Sequence, residues 1–301
     1  MACTASHDYA VTPSVEHPSN DPDRTPLAPL LAKATSDLRA AGIASPRVDA
    51  ELLAAHVLGV HRGRLLLIGD IRADEARRLA EAVARRAARI PVQHLLGTAA
   101  FRHLELAVGD GVFVPRPETE LLAGWGVEHT VPGAVVVDLC SGTGAIALSV
   151  ADEAEPGRVV AVERSPAALA YLRRNAAGHD RVEIVVGDVT DPYLLRDLDG
   201  RVDMVLCNPP YVPDGTPVPP EVADHDPAEA VFGGADGLVV IRPVIALAAR
   251  LLRPGGAFGI EHDDVHAAAV PELIRADGRF TEVSEHADLN GRPRYATARR
   301  R

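Results

Sequence analysis

The sequence predicts an α/β fold, a mixed seven-stranded sheet with helices on both faces, preceded by a small N-terminal helical domain. Three observations carry this expectation. Short apolar runs ending near Leu139, Glu163, Gly187 and Cys207 recur 20 to 25 residues apart, the spacing of repeated βα units whose parallel sheet is buried on both faces. Upstream, apolar residues recur at three- and four-residue steps, the period of helices. Near the far end, Asn290-Gly291 separates two apolar runs and favours a tight turn, so the sheet is expected to finish in an antiparallel pair.

With 301 residues, 47% of them hydrophobic, the chain can bury one main domain and a smaller one. A formal charge of −11 argues against a broad phosphate-gripping surface, and no stable nucleic-acid binding is expected. Cys3, Cys140 and Cys207 are far apart and lack metal-ligand spacing, which points to reduced, structural thiols in a cytoplasmic protein. No apolar run reaches the roughly 18 residues that a membrane span needs. Residues 1–25, rich in Pro, Ser, Asp and Thr, read as a disordered tail, neither signal nor transit peptide.

In chain order, a helix is expected from Pro26, with Leu27, Leu30, Leu31, Ala34, Leu38 and Ala41 on its face and Gly42 as its stop. A second follows with Ser45 as N-cap, Pro46 in the first turn and Gly59 at the end. A third runs from about Asp74 to Arg89, with Leu79 and Val83 inward. Residues 26–90 thus form the helical domain, either a structural cap or a grip for a macromolecular substrate. From 91 to 116 a β-hairpin connector is expected, Val92 to Leu96 pairing with the alternation around Leu104, Leu106 and Val108. Pro115-Arg116-Pro117-Glu118-Thr119-Glu120 then opens a helix, with acids near its positive end. The sheet domain, 117–301, has strands at Ala134 to Leu139, Arg158 to Glu163, Val182 to Gly187, Val202 to Cys207, Ala257 to Glu261, Phe280 to Glu285 and Arg294 to Ala298.

The chemistry is expected at the strand ends, where open α/β sheets bind ligands. The first strand ends in Asp138-Leu139-Cys140-Ser141-Gly142-Thr143-Gly144, a loop whose glycines let backbone approach a ligand. Alone this loop is ambiguous between a nucleotide site and a tight turn. Glu163 ends the second strand 19 residues after Gly144, placed to accept hydrogen bonds from both ribose hydroxyls of a nucleoside or else to cap the helix beginning at Ser165-Pro166. The third strand delivers Asp188, for an adenine amine, and Val189, beside the ring. The pattern G-x-G-x-x-G is absent, which favours S-adenosylmethionine over a dinucleotide. Asn208-Pro209-Pro210-Tyr211 follows the fourth strand, a stiff corner from which the Asn208 side chain and the Pro209 carbonyl project. If these two oxygens accept the N–H bonds of a target NH₂, they hold a poorly nucleophilic nitrogen for methylation and stabilise its developing charge. Tyr211 would pack on the planar group. No metal site is predicted, and His262 and His266, four apart, are expected to face solvent.

These residues, together with Ser45-Pro46-Arg47-Val48-Asp49-Ala50-Glu51-Leu52-Leu53, Pro91-Val92-Gln93-His94-Leu95-Leu96-Gly97, Val114-Pro115-Arg116-Pro117-Glu118-Thr119-Glu120 and Gly233-Gly234-Ala235-Asp236-Gly237-Leu238, resemble the peptide chain release factor N5-glutamine methyltransferases, the PrmC/HemK family. The resemblance spans about residues 26 to 301. It implies a Rossmann-like class I methyltransferase, S-adenosylmethionine as cofactor, a substrate-binding helical domain, and the Gly-Gly-Gln glutamine of class 1 release factors as target. Carried over by position, the cofactor loop falls on Asp138 and Cys140 to Gly144, the ribose acid on Glu163, the adenine contacts on Asp188 and Val189, and the target clamp on Asn208 to Tyr211. Cys140 stands where the family more often has Gly. A monomer is expected. The alternatives are a ribosomal-protein glutamine or, less favoured by the charge, adenine N6 of a nucleic acid.

Overall fold

The computed structural model describes residues 23–301, which divide into two compact units, the first ending at Ala84 and the second beginning at Arg85. The expected tail lies outside the described residues as far as position 22. Beyond it, Arg24–Pro26 is a short strand, β1, paired antiparallel with β2, Asp70–Arg72. The first unit also holds α1 (Leu27–Ala40), α2 (Pro46–Leu58) and most of α3 (Ala73–Ala87). Ser45 sits at the N-cap of α2 without a side-chain capping bond, and Gly59 ends that helix in the left-handed conformation, φ 63°. Leu27, Leu38 and Leu79 are buried, as the helical period predicts, together with Leu53 of α2 and Ile71 of β2.

In the second unit the connector differs from expectation. Val92–Leu96 is a helix, α4, between Pro91 at its N-cap and left-handed Gly97. A short apolar run cannot be told from a strand by periodicity, and here a proline start and glycine stop favour one helical turn. The hairpin is made instead by β3 (Thr98–Phe101) and β4 (Leu104–Ala107). The Arg116 to Glu118 segment winds through successive i→i+3 turns before α5, Thr119–His129.

The sheet strands are β5 (Val135–Leu139), β6 (Arg158–Glu163), β7 (Val182–Val186), β8 (Val202–Cys207), β9 (Leu252–Glu261), β10 (Phe280–Ala287) and β11 (Pro293–Arg300). Between them come α6 (Ala145–Glu153), α7 (Pro166–Asn175), α8 (Pro220–His225), α9 (Ala228–Val231), α10 (Ile241–Leu251) and α11 (Ala269–Ala276). Their order is β10-β11-β9-β8-β5-β6-β7, with β5 to β9 parallel and β11 antiparallel to both neighbours. The last hairpin is looser than a two-residue turn: Asp288 Oδ1 accepts from the backbone N–H groups of Asn290 and Arg292 at 2.8 and 2.9 Å. Alternate residues of the strands feed two cores. Val137, Leu139, Val160, Val162 and Val205 meet Ile241, Val244 and Ile245 of α10, while Val136, Val159, Ala161 and Leu206 meet Leu122, Ile146, Leu148 and Leu172 of α5, α6 and α7. The order reverses at β5, flanked by β6 and β8, and a crevice opens there at the strand ends.

Candidate active site at the carboxyl ends of the parallel strands

A cavity of about 320 Å³ occupies that crevice. It is lined by Asp138, Cys140, Ser141, Gly142 and Thr143 after β5, Glu163 after β6, Asp188 and Val189 after β7, and Asn208, Pro209, Pro210 and Tyr211 after β8. Of the sequence-predicted site residues, Gly144 alone does not line it. A Cβ there would fall 2.6 Å from Leu172 Cδ1, so this glycine, φ 88°, lets α6 pack against α7 rather than admitting a ligand. Gly142 is the opposite case: with φ 55°, a Cβ on it would meet nothing within 4 Å. Cys140, φ 60°, takes the left-handed conformation without being glycine.

Glu163 serves the fold as well as the cavity. Its Oε1 accepts from the N–H groups of Arg164 and Ser165 at 2.8 and 2.7 Å, and Oε2 accepts from Gly142 N–H at 2.9 Å. The carboxylate therefore ties the glycine loop to the start of α7, so both sequence readings of Glu163 describe one side chain. Asp188 is held by the Thr190 amide and hydroxyl, 2.9 and 2.8 Å from Oδ1, and by Arg164, 3.1 Å from Oδ2. The Thr190 amide, with the Thr190 hydroxyl and Arg164 behind it, keeps its pKa below the usual carboxylate range despite partial burial. Asp138 is buried; Oδ2 accepts from Ala147 N–H at 3.2 Å, whereas Oδ1 has no hydrogen-bond partner. Burial pushes this carboxyl up to about 7.

At the clamp, Asn208 Nδ2 donates to Thr119 Oγ1 at 3.1 Å, and Tyr211 Oη donates to Glu261 Oε1 at 2.9 Å. Burial first, then Glu261, raises the Tyr211 pKa well above its ordinary value, so Tyr211 stays a phenol. The glycine run Gly233 to Gly237 now has a reason. Cβ atoms at Gly233 and Gly237 would fall 2.6 Å from the Pro210 carbonyl oxygen and 2.3 Å from that of Tyr211, so only glycines let this loop lie against the corner. Thr119, Arg116, Phe113 and Arg294 also line the cavity, and Arg116 pairs with the buried Asp226. Sequence reasoning did not assign these four to the site; the Arg116-Pro117-Glu118-Thr119 run was a signal for Arg116 and Thr119, and Phe113 and Arg294 had none.

Two histidine expectations are corrected. His262 is buried, its Nε2 2.9 Å from Glu285 Oε2, and buried His266 has Nε2 2.9 Å from the Asp236 carbonyl oxygen. His262 lies just past β9 beneath the antiparallel pair that the linear order hides. His266 supports the glycine run. Cys140 and Cys207 are free thiols, and no group of His, Cys, Asp and Glu among the described residues could hold a metal ion.

The residues fit S-adenosylmethionine. A partnerless buried carboxyl oxygen at Asp138 suits an ammonium group, two further acids sit at adjoining strand ends, and Gly142 leaves space where a side chain would intrude. Among known proteins, residues 29–97 match the PrmC N-terminal domain family and residues 130–298 a methyltransferase domain family. The release factor glutamine methyltransferase of Mycolicibacterium smegmatis is 56% identical over 277 residues, 92% of this chain and 98% of that protein. Its namesake from Streptomyces coelicolor is 49% identical over 276 residues, 90% and 96% of the two chains. A solved 16S rRNA methyltransferase of T. Thermophilus, in complex with AdoMet and guanosine, aligns with 22% identity over 68% of this chain and 50% of that one, at a TM-score of 0.49. The mixed seven-stranded sheet is thus that of a class I, S-adenosylmethionine-dependent methyltransferase, and the chain belongs to the release factor glutamine methyltransferase family.

Proposed function

We propose that the chain transfers a methyl group from S-adenosylmethionine to the side-chain amide N5 of the glutamine in the Gly-Gly-Gln motif of class 1 peptide chain release factors. The observation that carries this reading is the meeting, in one cavity, of the Asn208 to Tyr211 corner with the acid-bearing ends of β5, β6 and β7. When bound, S-adenosylmethionine supplies a methyl group on a sulfonium sulfur. Glu163 has lone pairs left for ribose hydroxyls, Asp188 accepts from the adenine amine beside Val189, and Asp138 with the Cys140 to Gly144 loop holds the methionine portion.

An amide nitrogen is a poor nucleophile because its lone pair is delocalised into the carbonyl. Asn208 Oδ1 and the Pro209 carbonyl accept the two N–H bonds of the target amide, orient its nitrogen and stabilise the positive charge that develops on it. Pro210 and Tyr211 wall the planar group, with Tyr211 held still by Glu261. The helical domain, residues 26–90, grips the release factor. Its exposed Leu66 and Leu67 support this assignment, being 89% and 84% accessible. A monomer acting in the cytoplasm belongs to the same reading; among the described residues no helix is long and apolar enough to cross a membrane.

The test is transfer of labelled methyl from S-adenosylmethionine to a purified class 1 release factor, with a Gln→Ala version of its Gly-Gly-Gln loop and bare DNA as controls. Label on the unaltered factor alone supports the reading. Label on DNA, or on the Gln→Ala factor, overturns the target.

A further inference from the structure

Behind the corner lies a buried polar cluster that touches the proposed clamp at both Asn208 and Tyr211. Thr119, 3% accessible, opens α5, and Glu261, 1% accessible, ends β9. Thr119 Oγ1 accepts from Asn208 Nδ2 at 3.1 Å, and Glu261 Oε1 accepts from Tyr211 Oη at 2.9 Å, while Glu261 Oε2 is buried without a partner. Burial drives the Glu261 carboxyl up to about 7, against the pull of the Thr119 and Tyr211 hydroxyls and of Arg294. The titratable and charged groups facing it are Tyr211, Arg294, Glu118 and Cys207.

The chemistry of an asparagine clamp makes this cluster matter. An amide can turn either its oxygen or its nitrogen to a ligand, and only the oxygen accepts from a target NH₂. Thr119 by itself does not choose, because a hydroxyl both donates and accepts. A hydroxyl that sends its own proton to a neighbouring carboxylate, however, has only lone pairs left for Asn208. We propose that Thr119 and Glu261 are positioning residues for methyl transfer: the Glu261 carboxylate accepts a hydrogen bond from the Thr119 hydroxyl, Thr119 in turn accepts from Asn208 Nδ2, and Asn208 Oδ1 is left facing the target amide. A protonated acid or an amide at position 261 donates to Thr119 instead. Thr119 then donates to Asn208 Oδ1, the side chain turns over, and two N–H groups confront each other.

This inference rests on the glutamine-methylation reading, and one set of assays separates the two. Methylation of a purified class 1 release factor is followed with the full-length chain and with Glu261→Gln, Thr119→Val and Thr119→Ser, alongside calorimetry of S-adenosylmethionine binding. Glu261→Gln is expected to lower kcat about 100-fold, and Thr119→Val about 10-fold, the loss of one hydrogen bond. Thr119→Ser restores most of the loss in Thr119→Val, and cofactor affinity stays within about threefold of the unaltered chain in all three, since Glu261 does not line the cavity and Thr119 loses at most one uncharged contact. The unaltered enzyme should gain kcat as pH rises through about 7, the Glu261 value, and Glu261→Gln should lack that rise. Should Glu261→Gln fail to bind cofactor, the Thr119→Val and Thr119→Ser pair decides. Equal rates in that pair, or variants as fast as the unaltered chain on a factor that it labels, overturn the inference alone. A factor left unlabelled by the unaltered chain overturns the glutamine reading and the inference together.

Discussion

The two halves of the cavity are held in different ways. On the cofactor side each lining acid is braced first by backbone groups of its own turn, Glu163 by the amides of Arg164 and Ser165 and Asp188 by Thr190, and only then from a neighbouring strand end, Glu163 by Gly142 N–H and Asp188 by Arg164. On the clamp side the partners are remote, Thr119 being 89 residues from Asn208 and Glu261 50 residues from Tyr211. A locally braced acid depends on its own turn. A remotely braced amide depends on α5, β8 and β9 meeting correctly, so binding and turnover should fail separately when each half is disturbed.

The largest expected effect breaks the clamp. Asn208→Ala should lower turnover by about 10³-fold, the scale of losing a preorganised charge-stabilising group, with cofactor affinity close to unchanged by calorimetry; a rate within tenfold of the unaltered chain would refute the clamp. Glu163→Ala addresses the other half. Removing a carboxylate that accepts two ribose hydroxyls should weaken S-adenosylmethionine binding by about 100-fold, and unchanged affinity would show that Glu163 serves only to brace the loop.

The third effect compares the buried acids as contributors to stability. Asp138 titrates at about 7 in the folded chain against an ordinary 3.8. A folded-state pKa raised above the unfolded one means that the folded chain holds the proton longer. Its contribution is therefore fully present below about pH 4 and is lost as pH rises through about 7. Over that window the loss amounts to about 4 kcal/mol at most. In the cofactor-free chain, Asp138→Asn should flatten the fall in melting temperature between pH 5.5 and pH 8; an identical fall in both proteins would exclude the assignment.

The smallest effect concerns Cys140. Its φ of 60° costs a side-chain-bearing residue about 1–2 kcal/mol, which Cys140→Gly removes, while glycine's greater freedom in the unfolded chain returns about 0.5–1 kcal/mol. A gain of no more than about 1.5 kcal/mol should appear in denaturant unfolding, the difference of those two terms. A marked loss would show that the thiol stabilises the loop through contacts that the backbone conformation does not reveal.

Much of the site could be read from the linear order because its determinants are short in range. The apolar run of Val135 to Leu139, the loop after it and the acids at the ends of β6 and β7 each announce themselves within a few residues. The same locality explains the helical unit, where Pro46 and Gly59 mark both ends of α2. Val92–Leu96 misled because five apolar-rich residues carry no usable period. His262 misled because its burial depends on the pairing of β9 with β11 and of β11 with β10, strands that follow it in the chain.

The sequence by itself determined the succession of βα units, the place of the glycine loop at the end of the first of them and the position of Asn208 at a proline corner, since each follows from residues adjacent along the backbone. Only the tertiary structure decided that Thr119 meets Asn208, that Glu261 meets Tyr211, and that the glycine run of 233–237 lies against the Pro210 and Tyr211 carbonyls. The reason is physical. Those contacts join segments brought together by burial of the two cores that flank the sheet, and burial of apolar surface is non-directional, so which polar groups it seals together depends on the whole packed arrangement rather than on any one stretch of chain.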